Sequence, residues 1–127
     1  MPLVRIDLPA GTSAEYRAAV GDTVYQAMVA TLNVPNDDRF QVIAEHARGD
    51  LVIDPNYLGI RRSAAAIVIQ VTLNEGRGLE LKRAFYRAVA DGLLARVGLR
   101  REDVLINLVE VKKENWSFGN GEAQYAS

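Results

Sequence analysis

The second residue of the chain, Pro2, has the chemistry of a potential acid–base group. We expect Met1 to be removed because the residue after it is small, which would leave Pro2 with a free secondary amine. A terminal amine titrates at roughly pH 8, and burial beside apolar groups or a cation would lower its pKa. Such an amine accepts a proton when neutral and donates one when protonated. The alternative is that Pro2 only permits removal of Met1 and opens an edge strand.

The composition limits which other side chains can do chemistry. The 127 residues include no cysteine and a single histidine, His46. The first count excludes thiolate nucleophiles and cysteine-ligated zinc or iron–sulfur sites, and the second argues against a histidine-rich metal site. We interpret His46, at the end of a predicted strand, as a structural hydrogen-bonding residue. We therefore expect no metal ion and no organic cofactor.

The charge balance gives no sign of a polyanionic partner. Lys and Arg number 15 and Asp and Glu 16, so the net charge is −1 and we expect neither nucleic acid nor a membrane surface as a partner. No apolar run approaches the roughly 18–20 residues of a membrane span. The first residues lack the basic, apolar and small-residue regions of a signal peptide. We expect a cytoplasmic protein.

Residue patterns place Pro2 at the start of a first structural unit. Leu3 to Leu8 alternates apolar and polar residues, which predicts a strand. Thr12 and Glu15 have the spacing of a capping box, and apolar residues at helical spacing predict a helix to about Leu32. A second strand is predicted from Phe40 to His46.

The same order of elements recurs in the second half. The β-branched run from Ala66 to Leu73 predicts a strand buried on both faces. Apolar residues at helical spacing predict a second helix that ends near Gly98, and Val104 to Val111 predicts a fourth strand. Between the halves, the stretch 47–63 contains Gly and Pro and predicts a loop or a short hairpin.

The two halves align without a gap at an offset of 65 residues, so that Val20 falls on Phe85 and Asp38 on Asp103. A repeat of this kind fixes the architecture. It predicts an α+β fold of two tandem β-α-β units with right-handed crossovers. The units would form a four-stranded core sheet with both helices on one face. We expect a single domain over 1–127, with halves of about 1–62 and 63–127.

These features together resemble the tautomerase superfamily, in which the amino-terminal proline is the catalytic group. The longer match is to its malonate semialdehyde decarboxylase-like branch and spans essentially the whole chain. The most specific parts are the Asp-Arg-aromatic-Gln and Trp-Ser-Phe-Gly runs. The residues that carry the match are Pro2-Leu3, Ile6-Asp7-Leu8, Val34-Pro35, Asp38-Arg39-Phe40-Gln41, His46, Leu58-Gly59, Arg62-Ser63, Gly76-Arg77, Trp116-Ser117-Phe118-Gly119 and Gly121.

The resemblance implies roles for three residues that can handle protons or charge. Pro2 matches the catalytic proline. Arg77 matches an arginine that binds and polarises a carboxylate or carbonyl at the start of the second helix, where a guanidinium and a helix N-terminus both favour an anion. Asp38 matches an aspartate that orients the proline or a water, with Asp37 as a competing candidate. The alternatives are a solvated turn residue for Arg77 and a turn or cap residue for Asp38.

The resemblance also implies the surroundings of the site. Trp116 and Phe118 match an aromatic wall of the pocket, although a tail pair packed on the core or on a neighbouring subunit is the alternative. Better-known decarboxylases of this branch have an Arg-x-Arg pair before the second helix. Here Asn74 or Glu75 takes the place of the first arginine, depending on how the turn is aligned, and we expect Asn74 to contact substrate. The missing second cation leaves the particular substrate open.

The functional interpretation has a lead and two alternatives. Keto–enol tautomerisation of a small oxo acid needs a base that moves a proton and a cation that stabilises the enolate, and Pro2 with Arg77 would supply both. Decarboxylation of a 3-oxo acid such as malonate semialdehyde would use the same groups with Pro2 protonated. A non-catalytic ligand-binding or oligomer-forming domain is the alternative from another class.

The predicted strands contain more apolar positions than two helices can cover. A small monomer rarely leaves an apolar patch of several hundred Å² exposed. The resemblance points to three subunits, so we expect a homotrimer. In it, Trp116 and Phe118 would complete the contacts or the pocket of a neighbouring subunit.

Overall fold

A computed structural model describes residues 2–126, and Met1 and Ser127 lie outside the described residues. The predicted α+β fold, with two β-α-β units and both helices on one face of a four-stranded sheet, is confirmed. The strands are Leu3–Pro9 (β1), Phe40–His46 (β2), Ile67–Asn74 (β3) and Val104–Val111 (β4), and the helices are Ala14–Thr31 (α1) and Leu79–Val97 (α2).

The sheet has the order β2-β1-β3-β4, with parallel outer pairs and an antiparallel pair at its centre. Leu3 lies opposite Phe40 on one side and Thr72 on the other. Because β1 and β3 run in opposite directions, the start of β1 and the end of β3 lie at the same end of the sheet. That end carries Pro2, just before β1, and Asn74, the last residue of β3.

The hydrophobic core lies between the sheet and the two helices. Apolar residues recur about every turn along the inner faces of both helices, which buries one stripe of each. A Cβ added to Gly92 would lie 2.7 Å from Cγ2 of Thr23, so the small residue permits the close approach of α2 to α1. The core side chains with no exposed surface include Val4, Ile6, Leu8, Val20, Val24, Ile69, Phe85, Val89 and Leu93.

The predicted capping box of Thr12 and Glu15 is wrong. The Ser13 side chain caps α1 by accepting the N–H of Tyr16 at 3.0 Å. Thr12 instead donates its N–H and hydroxyl to the carboxylate of Glu45 at 2.9 and 2.7 Å. Thr12, which the sequence pattern assigns to the cap, therefore binds a carboxylate at the end of β2 instead. No helix within residues 2–126 has both the length and the apolarity to span a membrane.

The two units have closely matched geometry. The helices begin at Ala14 and Leu79, which are 65 residues apart. The backbone N–H of Ala10 donates to His46 at 2.8 Å, and the equivalent N–H of Glu75 donates to Val111 at 2.9 Å. Each unit therefore ties the turn before its helix to the end of its second strand.

The sheet face away from the helices is partly open. Along β3, the residues that face the helices are buried, whereas Gln70 on the other face is exposed. The helices therefore bury one face of this strand as predicted, and burial of the other face by a neighbouring subunit stays a prediction. The open face also presents large apolar side chains with more than a third of their surface exposed, namely Leu3, Phe40, Val42, Leu105 and Val109.

The stretch 47–63, which lies wholly within the described residues, forms a loop rather than a hairpin. Its only regular element is a short 3₁₀ turn at Tyr57–Gly59, within which Leu58 has a left-handed backbone with φ of 60°. The turn leaves Leu58 78% exposed.

Candidate active site

Pro2 is buried at the end of the sheet where β1 begins, and it lines a cavity of about 260 Å³. The parallel pairing of Leu3 with Phe40 brings Pro2 next to the segment that precedes β2. The cavity, here called the Pro2 cavity, is closed on its other side by the C-terminal segment. Its lining residues are Pro2, Leu3, Phe40, Trp116, Ser117 and Phe118. The predicted removal of Met1 concerns a residue outside the described range and stays a prediction.

Four aromatic residues pack together beside Pro2 and form what we call the aromatic wall: Phe40, Trp116, Phe118 and Tyr125. The rings of Trp116 and Phe118 are stacked with centroids 5.3 Å apart. Phe118 also contacts Phe40 at 6.0 Å and the edge of Tyr125 at 5.0 Å. Offset and edge-on contacts of this kind stabilise aromatic clusters beyond the area that they bury. The structure thus brings the two predicted aromatic residues to Pro2.

Asn74 fixes the position of the aromatic wall. Its side-chain oxygen accepts the indole N–H of Trp116 at 2.7 Å. Trp116 is 42 residues away in the chain, so this bond ties the C-terminal segment to the end of β3. The sequence predicted contact between Asn74 and substrate, and the structure shows the amide oxygen engaged with the indole.

Asp38 is 5% exposed and lies in the turn between α1 and β2, where its N–H donates to the carbonyl of Pro35 at 3.2 Å. Burial raises the pKa of the Asp38 carboxyl, and the charge of Asp37 acts in the same direction, while the charge of Arg77 opposes both. Asp37 is exposed. Of the two competing aspartates, Asp38 is therefore the one inside the protein and within the field of Arg77.

Arg77 lies in the turn between β3 and α2, and its side chain is directed towards the end of α1. Nε donates to the carbonyl oxygen of Leu32 at 2.9 Å, and Nη1 donates to that of Asn74 at 3.2 Å. Among residues 2–126, Nη2 makes no hydrogen bond to a side chain or backbone. The next residue, Gly78, caps α2 without a side-chain hydrogen bond. A guanidinium with an available N–H beside a helix N-terminus suits an anionic group.

Tyr125 is a site residue that the sequence reasoning missed. Burial raises the pKa of its phenol, and the negative charge of Asp38 adds to the effect. The hydroxyl therefore stays protonated at neutral pH and can donate a hydrogen bond. Tyr125 sits in an irregular polar segment near the end of the chain, and no periodicity there indicates that it folds back onto Phe118.

His46 lies at the far end of the sheet from Pro2, opposite Pro9. Its Nε2 is 2.5 Å from Oδ1 of Asp7. Burial of Asp7 opposes its ionisation, but the hydrogen bonds from His46 and Arg5 outweigh burial and lower the pKa of the carboxyl. Among residues 2–126, no three His, Cys, Asp or Glu side chains are grouped as a metal ion requires.

A larger cavity, of about 480 Å³, lies at that far end and is lined by Pro9, His46, Arg48 and Ser63 among others. Asp103, the counterpart of Asp38, accepts the N–H and the hydroxyl of Ser63 at 2.7 and 2.6 Å. Thr12 takes the place of Arg77. This end has neither a terminal amine nor that cation, so the Pro2 cavity is the candidate active site.

Comparison with known proteins places the chain in a family. Two family models, both described as tautomerase enzyme, match residues 38–119 and 2–61. The probable tautomerase YusQ of Bacillus subtilis strain 168 is 41% identical over 124 residues, which is 98% of each chain. The probable tautomerase YrdN of the same organism is 34% identical over 125 residues, covering 98% of this chain and 96% of that one.

Solved structures agree with this assignment. The malonate semialdehyde decarboxylase FG41, inhibited by 3-bromopropiolate, has a TM-score of 0.90 at 38% identity, with 97% of this chain and 93% of that one covered. Another malonate semialdehyde decarboxylase, described with decarboxylase and hydratase activities, has a TM-score of 0.90 at 32% identity and coverage of 97% and 95%. A fused 4-OT symmetric trimer shares the fold, with a TM-score of 0.78 at 24% identity and coverage of 97% of each chain. The chain belongs to the tautomerase family and is an enzyme of that family rather than a non-catalytic domain.

Proposed function

We propose that this enzyme catalyses keto–enol tautomerisation of a small oxo acid with the amine of Pro2 as the acid–base group. The observation that carries the proposal is the burial of Pro2 in a cavity closed by the aromatic wall. A cavity of about 260 Å³ suits a substrate of a few carbon atoms. Asp38 and Arg77, which interact electrostatically with each other, are the charged residues that we assign to this site.

The proton moves in two steps. The neutral amine of Pro2 takes a proton from the enol oxygen or from the carbon next to the carbonyl, and the electron pair of that bond forms the enolate. The protonated amine then returns the proton to the other position, so no atom is gained or lost. Arg77 and the N-terminus of α2 bind the carboxylate and stabilise the developing oxyanion.

The two charged residues act on the amine in opposite directions. The cation of Arg77 disfavours a protonated amine, whereas the carboxylate of Asp38 favours one. Asp38 also orients the amine or a water molecule. The balance between these two effects decides whether Pro2 is a base or an acid at neutral pH.

Decarboxylation of a 3-oxo acid is the second candidate. The 38% identity and TM-score of 0.90 with FG41 malonate semialdehyde decarboxylase favour it, as does a buried carboxylate that would keep the amine protonated. In this reaction, protonated Pro2 and Arg77 polarise the carbonyl oxygen. The bond to the carboxylate carbon then breaks, carbon dioxide leaves, and the electron pair of that bond forms an enolate. The enolate takes the proton of Pro2 at the carbon that carried the carboxylate.

The test is a pH–rate profile of the mature protein on small enols and 3-oxo acids. A basic Pro2 predicts loss of activity as pH falls through the pKa of the amine, and an acidic Pro2 predicts loss as pH rises through it. Pro2→Ala should lower kcat by at least about 10²-fold, as expected for a positioned acid or base. Pro9→Ala, which changes a proline at the other end of β1, should not. A fully active protein that retains Met1 by intact mass contradicts the proposal.

We also propose that the enzyme is a homotrimer that covers the open face of the sheet, and that it works in the cytoplasm. The exposed apolar side chains of β1, β2 and β4 support the assembly, and the fused 4-OT neighbour is described as a trimer. Light scattering should give a mass near three times 14.0 kDa. An active monomer at micromolar concentration contradicts the trimer, and cell fractionation tests the location.

A further inference from the structure

We infer that Glu110 and Lys82 are positioning residues for Arg77, an inference that rests on the proposed role of Arg77 in binding substrate. Arg77 lies in the turn between β3 and α2. Glu110 is the penultimate residue of β4 and lies opposite Leu73, just before that turn. Lys82 lies in the first turns of α2. The pair thus joins β4, the strand that pairs with β3, to the helix that follows the turn carrying Arg77.

The contacts of Glu110 tie the turn to the sheet. Lys82 donates from Nζ to Oε1 of Glu110 at 2.7 Å. The backbone of Gly76 lies close enough to the carboxylate to help lower its pKa. The hydrogen bond from Lys82 is the main cause of a lowered pKa of Glu110, and the charge of Arg77 contributes to it. Glu110 is therefore ionised at neutral pH and within the field of Arg77.

The turn needs such contacts because glycine gives its backbone a wide range of accessible conformations. Gly76 has a φ of 121°, a conformation that residues with a side chain rarely adopt. Two residues of β4 contact the turn: Val111 accepts the N–H of Glu75 at 2.9 Å, and the Glu110 carboxylate lies beside the backbone of Gly76. Arg77 follows directly, so its guanidinium position depends on both contacts.

Lys82 also protects the charge of Arg77. A lone carboxylate near a guanidinium would attract it and compete with the carboxylate of a substrate. With Lys82 bound, Glu110 is matched by its own cation. The cation of Arg77 thereby stays available for a ligand.

The first half of the chain contains an equivalent pair of a carboxylate and a cation, Glu45 and Arg17, but the turn before its helix has no arginine. Glu45 accepts the N–H of Thr12 at 2.9 Å and pairs with Nη1 of Arg17 at 3.3 Å. Each of these residues lies 65 positions before its counterpart in the second half, so Thr12 takes the place of Arg77. The pair is therefore structural in the first half, whereas in the second half it also positions Arg77 in the active site.

This duplication provides a matched control. Glu110→Gln should lower kcat/KM by about tenfold, mainly through a higher KM, because displacement of a binding group by about 1 Å costs up to about 10²-fold. Glu45→Gln should change kcat/KM by less than about twofold. Urea unfolding should show similar small losses of stability in both variants. Equal losses of activity in the two variants would overturn the inference.

A double variant separates this inference from the proposed function. In an Arg77→Ala background, Glu110→Gln should cause no further loss of kcat/KM, because the residue through which it acts is gone. A further tenfold loss there would show that Glu110 acts independently of Arg77 and would overturn the inference. Full activity of Arg77→Ala alone would instead refute the proposed role of Arg77. Lys82→Met should raise KM, and Arg17→Met should not.

Discussion

The hydrogen bond from Trp116 to Asn74 determines how firmly the aromatic wall closes the Pro2 cavity. Asn74→Ala removes the acceptor for the indole N–H, now 2.7 Å from it, and leaves the ring stacking with Phe118 in place. A neutral hydrogen bond contributes about 1 kcal/mol, and water can replace part of it because Trp116 is only half-buried. About 1 kcal/mol changes the ratio of closed to open wall by about fivefold. We expect kcat/KM to fall by about that factor.

The protein offers a specific reporter for this change, since Trp116 is its only tryptophan. In Asn74→Ala, its fluorescence should shift to the red and become more accessible to acrylamide. Gln70→Ala is the control, because Gln70 lies on the same face of β3 and donates to Asn107 at 3.1 Å, away from the site. A loss of activity without any change in fluorescence would refute the reasoning and indicate that Asn74 contacts substrate directly. Altered fluorescence with full activity would show that the wall is dispensable.

Two further predictions concern the charged residues. Arg77→Lys should recover only part of the turnover that Arg77→Ala loses, because the ammonium lacks the planar fork; steady-state kinetics of both variants would check this. Asp38→Asn should raise the urea midpoint at pH 7, because burial raises the pKa of Asp38 and its charged form therefore costs stability. Because the pKa of Asp38 is raised in the folded protein, the charged carboxyl destabilises the fold only at pH values above its unfolded pKa of 3.8. The gain in the urea midpoint should therefore vanish as the pH falls towards 3.8. Asp103→Asn should instead lower the midpoint, because Asp103 accepts two hydrogen bonds from Ser63. A gain that persists at pH 3, or a gain in both variants, would contradict the argument.

The elements of the fold were predictable because their patterns are local. β2 and β4 begin and end at the predicted residues, and Gly98 ends α2 in the left-handed conformation with φ of 70°. The capping of α1 was not, because Glu45, more than 30 residues away, competes for Thr12. Local pattern reasoning cannot weigh such a contact.

The candidate site, like the fold, was predictable only where the sequence carries a local signal or a family motif. A proline after Met1 and an arginine between two glycines are visible in the sequence, and the resemblance to a family added Asp38, Trp116 and Phe118. Tyr125 was missed because its contact with Phe118 depends on how an irregular tail folds back. The indole contact of Asn74 was missed because it joins residues 42 positions apart. Contacts made by segments without periodicity leave no signal in a single sequence.

The duplicated architecture also explains why only one of the two units contains the proposed site. A free secondary amine exists once in a chain, at its start, so the chemistry of Pro2 cannot be repeated before β3. At the equivalent place the linker continues into the strand, and Asp103 binds the N–H and hydroxyl of Ser63 within it. The counterpart of Asp38 thus stabilises a chain connection. Chain continuity therefore confines the proposed chemistry of a terminal amine to the first unit, whereas the proposed cation, Arg77, belongs to the second.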